Sequence, residues 1–215
     1  MKAKLAKFES FSSRNATHLL RRLWHLGCSL LLAYAYWEFF TKEQALLVMT
    51  TLGTIFLLGD SFRLKYKSLN KAIFKIMGGF MRKSEMQSQS AMMPFILSLF
   101  IVIVLFPKPV VILSILYLGV GDPVASIVGI HYGNTKIFGT RKSLEGLVAN
   151  FFTTTIITYF VLSAFGLGGS YIVLISLIGG IGSAVSESLP LTTDDNLHVP
   201  IISGSVLWLV LTLLQ

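Results

Sequence analysis

Seven apolar stretches divide this chain, separated by short polar or charged intervals. They run from Leu23 to Phe40, Ala45 to Phe62, Ala91 to Phe106, Val110 to Ile130, Leu147 to Phe165, Tyr171 to Leu189 and Pro200 to Leu214. Most are long enough to cross a hydrocarbon core of roughly 30 Å as a helix, the third and the last being short. The pattern predicts an all-α, polytopic integral membrane protein with about seven transmembrane helices. Residues 1 to 20 form a basic N-terminal arm, and residues 21 to 215 a single transmembrane domain with no room for a separate soluble one. Between the second and third stretches, LNKAIFKIMGGFM repeats Leu69, Ile73, Ile76 and Phe80 at helical spacing, the pattern of a basic helix lying in the membrane interface.

Composition agrees with that pattern. Hydrophobic residues make up 53% of the chain and charged ones 13%, and the mean hydropathy is +0.72. A formal charge of +8 raises nucleic acid as a partner, but the placement of the cations removes it. Sixteen of the 18 Lys and Arg residues fall before the first stretch, after the second or after the fourth, leaving only Lys42 and Lys108 elsewhere. This bias puts the N-terminus and those loops in the cytoplasm. Eight of the ten acids then share the cytoplasmic face: Glu9, Asp60, Glu85, Asp122, Glu145, Glu187, Asp194 and Asp195. The single cysteine, Cys28, excludes an internal disulfide.

The candidate chemistry gathers around Gly121 to Gly146. Asp122 interrupts an apolar stretch and Pro123 follows it, so the helix is expected to bend or unwind at the carboxylate. A carboxylate among apolar residues is costly and marks a functional candidate. Gly121, Ala125, Gly129 and Gly133 recur every four residues, a small-residue face suited to close helix packing and permissive of a homodimer. The loop after it carries Gly133, Gly139, Arg141 and Lys142, and Ser143 is the expected N-cap of the next helix. Glycines, two cations and a helix start suit a polyphosphate, although the spacing is not that of a P-loop. Glu145 complements the helix dipole, or else shares a divalent cation with the phosphates. Asp194, Asp195 and Asn196 form an oxygen-rich turn that reads equally as ordinary hydrophilic chain. Asp60 and Arg63, three apart, are an internal ion pair or a binding pair. His25, Arg82, Glu85 and Glu187 complete the candidates.

Gly121-Asp122-Pro123, Ala125, Gly129, Gly133, Lys142-Ser143, Glu145-Gly146, Glu187 and Asp194-Asp195-Asn196 with Pro200 resemble, in order and spacing, the CTP-dependent lipid-alcohol kinases. That family includes the dolichol or polyprenol, phytol and fungal-type diacylglycerol kinases and is distantly similar to the phosphatidate cytidylyltransferases. The likeness extends upstream to Arg21-Arg22-x-x-His25, Asp60-x-x-Arg63 and Arg82-x-x-Glu85. It implies transfer of the CTP γ-phosphoryl group to a lipid hydroxyl at the cytoplasmic face of the inner membrane or endoplasmic reticulum. The phosphates would meet Lys142, Arg141 and amides near Gly139 to Ser143. Mg²⁺ would meet Asp122, Glu145 and Asp194 or Asp195. Asp122 would take the alcohol proton, Arg82 would supply transition-state charge, and Asn196 would fix the acidic loop or read the nucleotide. Two other readings stand beside this one. A cytidylyltransferase making CDP-lipid lacks its long signature here, and an ion-coupled transporter lacks an inverted repeat.

Overall fold

The computed structural model describes residues 22–78, 81, 83–137, 140 and 142–214. Arg21, Phe80, Arg82, Gly139, Arg141 and the basic arm lie outside the described residues. Within them the regular structure is helical: α1 (22–38), α2 (Lys42–Lys65), α3 (Lys67–Met77), α4 (Met92–Leu105), α5 (Lys108–Leu116), α6 (Asp122–His131), α7 (Leu144–Ala164), α8 (Ile172–Ser188) and α9 (Asp195–Leu214). An isolated bridge between Lys136 and Ser143 is the nearest approach to a strand among the described residues.

The middle of the bundle is one continuous rod. A five-residue π turn, Tyr117–Gly121, joins α5 to α6, so Lys108 to His131 runs without a break. Val110 to Ile115 is apolar but for Ser114, and the whole segment is buried, as a helix apolar on every side must be. In its most apolar window 67% of the residues are buried, against 17% for α2, which places the rod at the centre and α2 at the rim. Helices α4, α7 and α9 pack on α5, while α7 and α8 reach the π turn. Pro107 precedes α5 and Pro109 sits in its first turn, where a missing N–H costs nothing.

The π turn is the structural answer to Pro123. A proline ring in a regular helix crowds the carbonyl four residues back, here that of Gly119. The wider turn relieves this, with the Asp122 amide donating to the Tyr117 carbonyl five residues before it. The helix therefore widens where a bend or break is expected. Close packing locks it there. A Cβ at Gly121 would lie 2.8 Å from Thr154 Cγ2, and one at Gly129 would lie 2.9 Å from Ser143 Oγ. The small-residue face is thus the α6–α7 contact within one chain. Asn150, Thr154 and Thr158 form a buried polar stripe on α7, and the Thr158 hydroxyl meets Tyr117 Oη at 2.6 Å.

Among the described residues five helices are long and apolar enough to cross a membrane: α2, the α5–α6 rod, α7, the segment Gly169–Ser188 and α9. Helix α4 has 14 residues, about 21 Å at helical rise, and is shorter than a bilayer core. Helix α9 begins at Asp195 and runs 20 residues, so the last stretch is longer than Pro200 to Leu214. Helix α3 carries no buried side chain. At one end of the bundle Lys42 Nζ donates to the Val104 carbonyl at 2.8 Å, and the Lys108 ammonium lies 5.4 Å from the Tyr36 ring centre. The opposite end holds the C-termini of α2, α6 and α8 and the N-termini of α4, α7 and α9.

Candidate functional site

At that opposite end, Lys142 reaches from the turn before α7 to the end of α8 and the start of α9. Its ammonium donates to the Glu187 carbonyl and lies 3.6 Å from both Glu187 Oε1 and Asp195 Oδ2. The Glu187 side chain is 8% exposed, Lys142 26% and Asp195 40%, so the cluster opens toward solvent on the Asp195 side. Asp122, at the start of α6, is within electrostatic reach of Glu187, as is Asp195. Residues up to 73 positions apart in sequence thus form one acidic cluster around a lysine. His198 Nε2 stands 3.6 Å from Asp195 Oδ1, an electrostatic neighbour at a distance too long for a hydrogen bond.

The other expected site residues divide by what already occupies them. Ser143 is the N-cap of α7, as expected, and its hydroxyl accepts from the Gly146 amide at 3.2 Å. The Leu144 amide donates to the Thr135 carbonyl at 2.9 Å. Two amides at the start of α7 are therefore engaged within the protein. Gly133 is a close-approach residue, since a Cβ there would overlap the Gly129 carbonyl and Ser143. Glu145 accepts from the amides of Asn134 and Thr135, each at 3.1 Å, and so ties the loop to α7. Asp194 precedes α9 and its Oδ1 accepts from the Asn196 amide at 3.0 Å, the geometry of an N-cap. Asn196 Nδ2 donates to the Ala91 carbonyl at 3.4 Å, joining the acidic turn to the start of α4. Among the described residues no three His, Cys, Asp or Glu side chains converge as a metal-binding group.

Asp60 and Arg63 form a second centre. Arg63 is 2% exposed and donates to Asp60 Oδ1, Asn70 Oδ1 and the carbonyls of Glu85 and Ser88. Asp60 Oδ2 accepts from the Ser90 amide at 2.7 Å. The pair pins α2, α3 and the segment before α4 together. It also walls a cavity of about 350 Å³ that His25 and Glu85 line with mostly apolar neighbours.

Asn150 is a residue that sequence reasoning missed. Its Oδ1 accepts from Ser183 Oγ at 2.9 Å, and its fully buried Nδ2, close to Gly121, has no partner among the described residues. An Asn within an apolar span, followed by Thr at four-residue intervals, was the available signal.

Comparison with known proteins gives the cleft a context. The chain is 26% identical over 204 residues to CTP-dependent diacylglycerol kinase 1 of Saccharomyces cerevisiae, covering 86% of this chain and 70% of that protein. It is 27% identical over 163 residues to CTP-dependent diacylglycerol kinase 1 of Schizosaccharomyces pombe, covering 71% and 75%. A shorter match, 40% over 111 residues, reaches "Probable phytol kinase 3, chloroplastic" of Glycine max, covering 46% of this chain and 35% of that one. No protein-family model and no solved structure matches the chain. The chain is thus similar to CTP-dependent diacylglycerol kinases and, over a shorter stretch, to a probable phytol kinase, in line with the motif resemblance.

Proposed function

We propose that this protein is a CTP-dependent lipid kinase: CTP and a lipid alcohol give CDP, the lipid phosphate and a proton. The observation that carries the reading is Lys142 held among Glu187, Asp195 and Asp122 at one end of an apolar bundle. The kinase names of relatives spanning most of the chain support phosphoryl transfer over the cytidylyltransferase and transporter readings. In the reaction a lipid oxygen–phosphorus bond forms as the bond bridging the β- and γ-phosphates breaks. Such transfer needs positioning and charge neutralisation more than covalent chemistry.

Lys142 is the group that meets the phosphates, exchanging its two carboxylate partners for phosphate oxygens. Asp122, set by the π turn and the α6–α7 packing, accepts the proton of the alcohol. Glu187 and Asp195 hold Lys142 in place before nucleotide arrives. The donor set fits a hard cation, since it is carboxylate oxygen throughout, and Mg²⁺ characteristically binds through one or two carboxylates together with substrate phosphates and water. Asp122 and Asp195 are the residues that would hold it, with Asp194 beside them, and it would neutralise developing phosphate charge. Glu145 contributes by fixing the loop that carries Lys142. Arg82, Gly139 and Arg141 remain proposed contacts on the strength of the motif alone.

We place the active site on the cytoplasmic face of a single-domain protein crossing the membrane about seven times. The sequence bias, which leaves only Lys42 and Lys108 of the 18 Lys and Arg residues for the opposite end of the bundle, supports that orientation. The test is transfer of labelled γ-phosphate from CTP, against ATP, to a panel of diacylglycerol, phytol and polyprenols by the purified protein with Mg²⁺. Label in lipid from CTP, lost in Lys142→Ala, is the expected result. Conversion of phosphatidate to CDP-lipid without lipid labelling would replace the kinase reading.

A further inference from the structure

The cavity among α1, α2, α3 and the segment entering α4 has a volume, about 350 Å³, in the range of small-molecule pockets. Ile55, Phe56, Ile73, Met77 and Met92 give it an apolar lining. His25, Glu85, the Asp60–Arg63 pair and Ser90 interrupt that lining with polar groups, and the last two bear on a ligand. The first, Asp60 with Arg63, is committed to protein partners on all sides described and serves as wall. The second is Ser90. It is 7% exposed, its amide is bonded to Asp60, and its hydroxyl has no hydrogen-bond partner among the described residues. A buried hydroxyl left unpaired is unfavourable, and in a ligand pocket it marks where a polar atom of the ligand belongs. The next residue, Ala91, accepts from Asn196 of the acidic turn, so this wall of the cavity adjoins the cleft around Lys142.

We propose that this cavity is the acceptor subsite and that it takes an ester-bearing glycerolipid, with Ser90 Oγ donating to an ester carbonyl. The proposal rests on the lipid-kinase reading. An isoprenoid alcohol carries a single oxygen, which must face the phosphate and cannot also serve Ser90. A diacylglycerol carries two ester groups beside its free hydroxyl. Its glycerol and proximal chains fill the apolar lining, and the hydroxyl lies toward Asn196 and the cleft.

Trp24 lines the cavity and supplies a probe that does not depend on turnover. In the full-length protein with Trp37→Phe and Trp208→Phe, brominated diacylglycerol is titrated in detergent and Trp24 fluorescence recorded. Saturable quenching is expected. Gly59 lines the cavity, and a Cβ there would meet nothing within 4 Å, so Gly59→Leu fills the space without a backbone clash. It should abolish the saturable phase. Ser90→Ala should weaken diacylglycerol binding roughly five- to tenfold, the worth of one hydrogen bond, and leave the ester-free dialkylglycerol unchanged. Quenching insensitive to Gly59→Leu, or matched by brominated phosphatidylcholine, would overturn the subsite. Equal loss for ester and ether lipids in Ser90→Ala would overturn the ester assignment. Labelling of lipid from CTP is scored separately: its absence with the quenching pattern intact removes the kinase reading alone, and its presence with quenching insensitive to Gly59→Leu removes this inference alone.

Discussion

Lys142→Met separates what the lysine does for the fold from what it does for the reaction. At 3.6 Å from Glu187 Oε1, a unit charge pair has a gross attraction of roughly 4–5 kcal/mol at an effective dielectric of ~20 and about 1 kcal/mol in water. Glu187 is nearly enclosed and Lys142 is three-quarters enclosed, so the effective value lies between these limits, and desolvation of both ions offsets much of it. Removing only the cation strands the Glu187 carboxylate beside Asp122 and Asp195, and should cost about 2–4 kcal/mol. Glu187→Gln in the same chain removes the stranded charge and should restore at least about 1 kcal/mol, the rest being the lost hydrogen bond to the Glu187 carbonyl. Stability is read from thermal unfolding in detergent for the wild type, both single variants and the double variant. Activity should follow a different course. Both variants lacking Lys142 should lose on the order of 10²–10³ in kcat, because a charge aimed at the transferring phosphate is absent from each. A double variant that recovers activity with stability would refute the phosphate role, and a single variant as stable as wild type would refute the charge cluster.

The remaining predictions address one feature each. Asp122→Asn should reduce kcat by about 10²–10⁴ with helical content retained, since the substitution leaves the backbone bond and small-residue packing of the π turn in place, as steady-state kinetics and circular dichroism would show. Ser143→Ala should lower stability by about 1 kcal/mol through loss of the α7 cap and leave KM for CTP unchanged, as measured by thermal unfolding and steady-state kinetics. Arg63→Lys should cost about 3–5 kcal/mol, because an ammonium cannot serve Asp60, Asn70 and two carbonyls in one plane, and should also abolish Trp24 quenching by brominated lipid.

Much of this arrangement was legible from residue order. The helical class, the central stretch around Asp122, the Ser143 cap and the close-packed face of Gly121, Ala125 and Gly129 all follow from local pattern, because each is decided within one or two turns of chain. The reading of Glu145 and Asp194 as metal ligands is not resolved by such pattern, and the structure shows what else engages both: one holds the amides of Asn134 and Thr135, the other caps α9. A carboxylate beside a helix start looks the same in sequence whether it serves a cap or a cation. Glu187 shows the converse. At the sequence level it is one acid at the end of an apolar span, and only the convergence of α7, α8 and α9 makes it, with Asp195, an ion-pair partner of Lys142. The cavity was illegible for the same reason, since its walls come from α1, α2, α3 and the segment before α4, and no periodicity reports an empty volume between four segments.

The contact between Asn196 and Ala91 bears on how a water-soluble donor meets a lipid acceptor. A kinase acting on a membrane alcohol must expose its nucleotide site to water and its acceptor site to the apolar phase, while keeping the two reacting oxygens within about 3–3.5 Å of their targets. A cleft among helix ends satisfies the first need, and a side cavity between a rim helix and an interfacial helix satisfies the second. Neither alone brings the groups together. Here the acidic turn that carries Asp194 and Asp195 is bonded through Asn196 to Ala91, and Ser90 beside it is bonded through its amide to Asp60. Two hydrogen bonds and the peptide link between Ser90 and Ala91 therefore connect the acidic turn beside Lys142 to the wall of the cavity across two helix starts. Asn196→Ala removes the link between them without touching the Lys142 cluster. On this reading it should lower kcat at saturating CTP and lipid while leaving Trp24 quenching by brominated diacylglycerol intact. A rise in KM for CTP alone, with kcat unchanged, would instead make Asn196 a nucleotide contact and dissolve the proposed coupling.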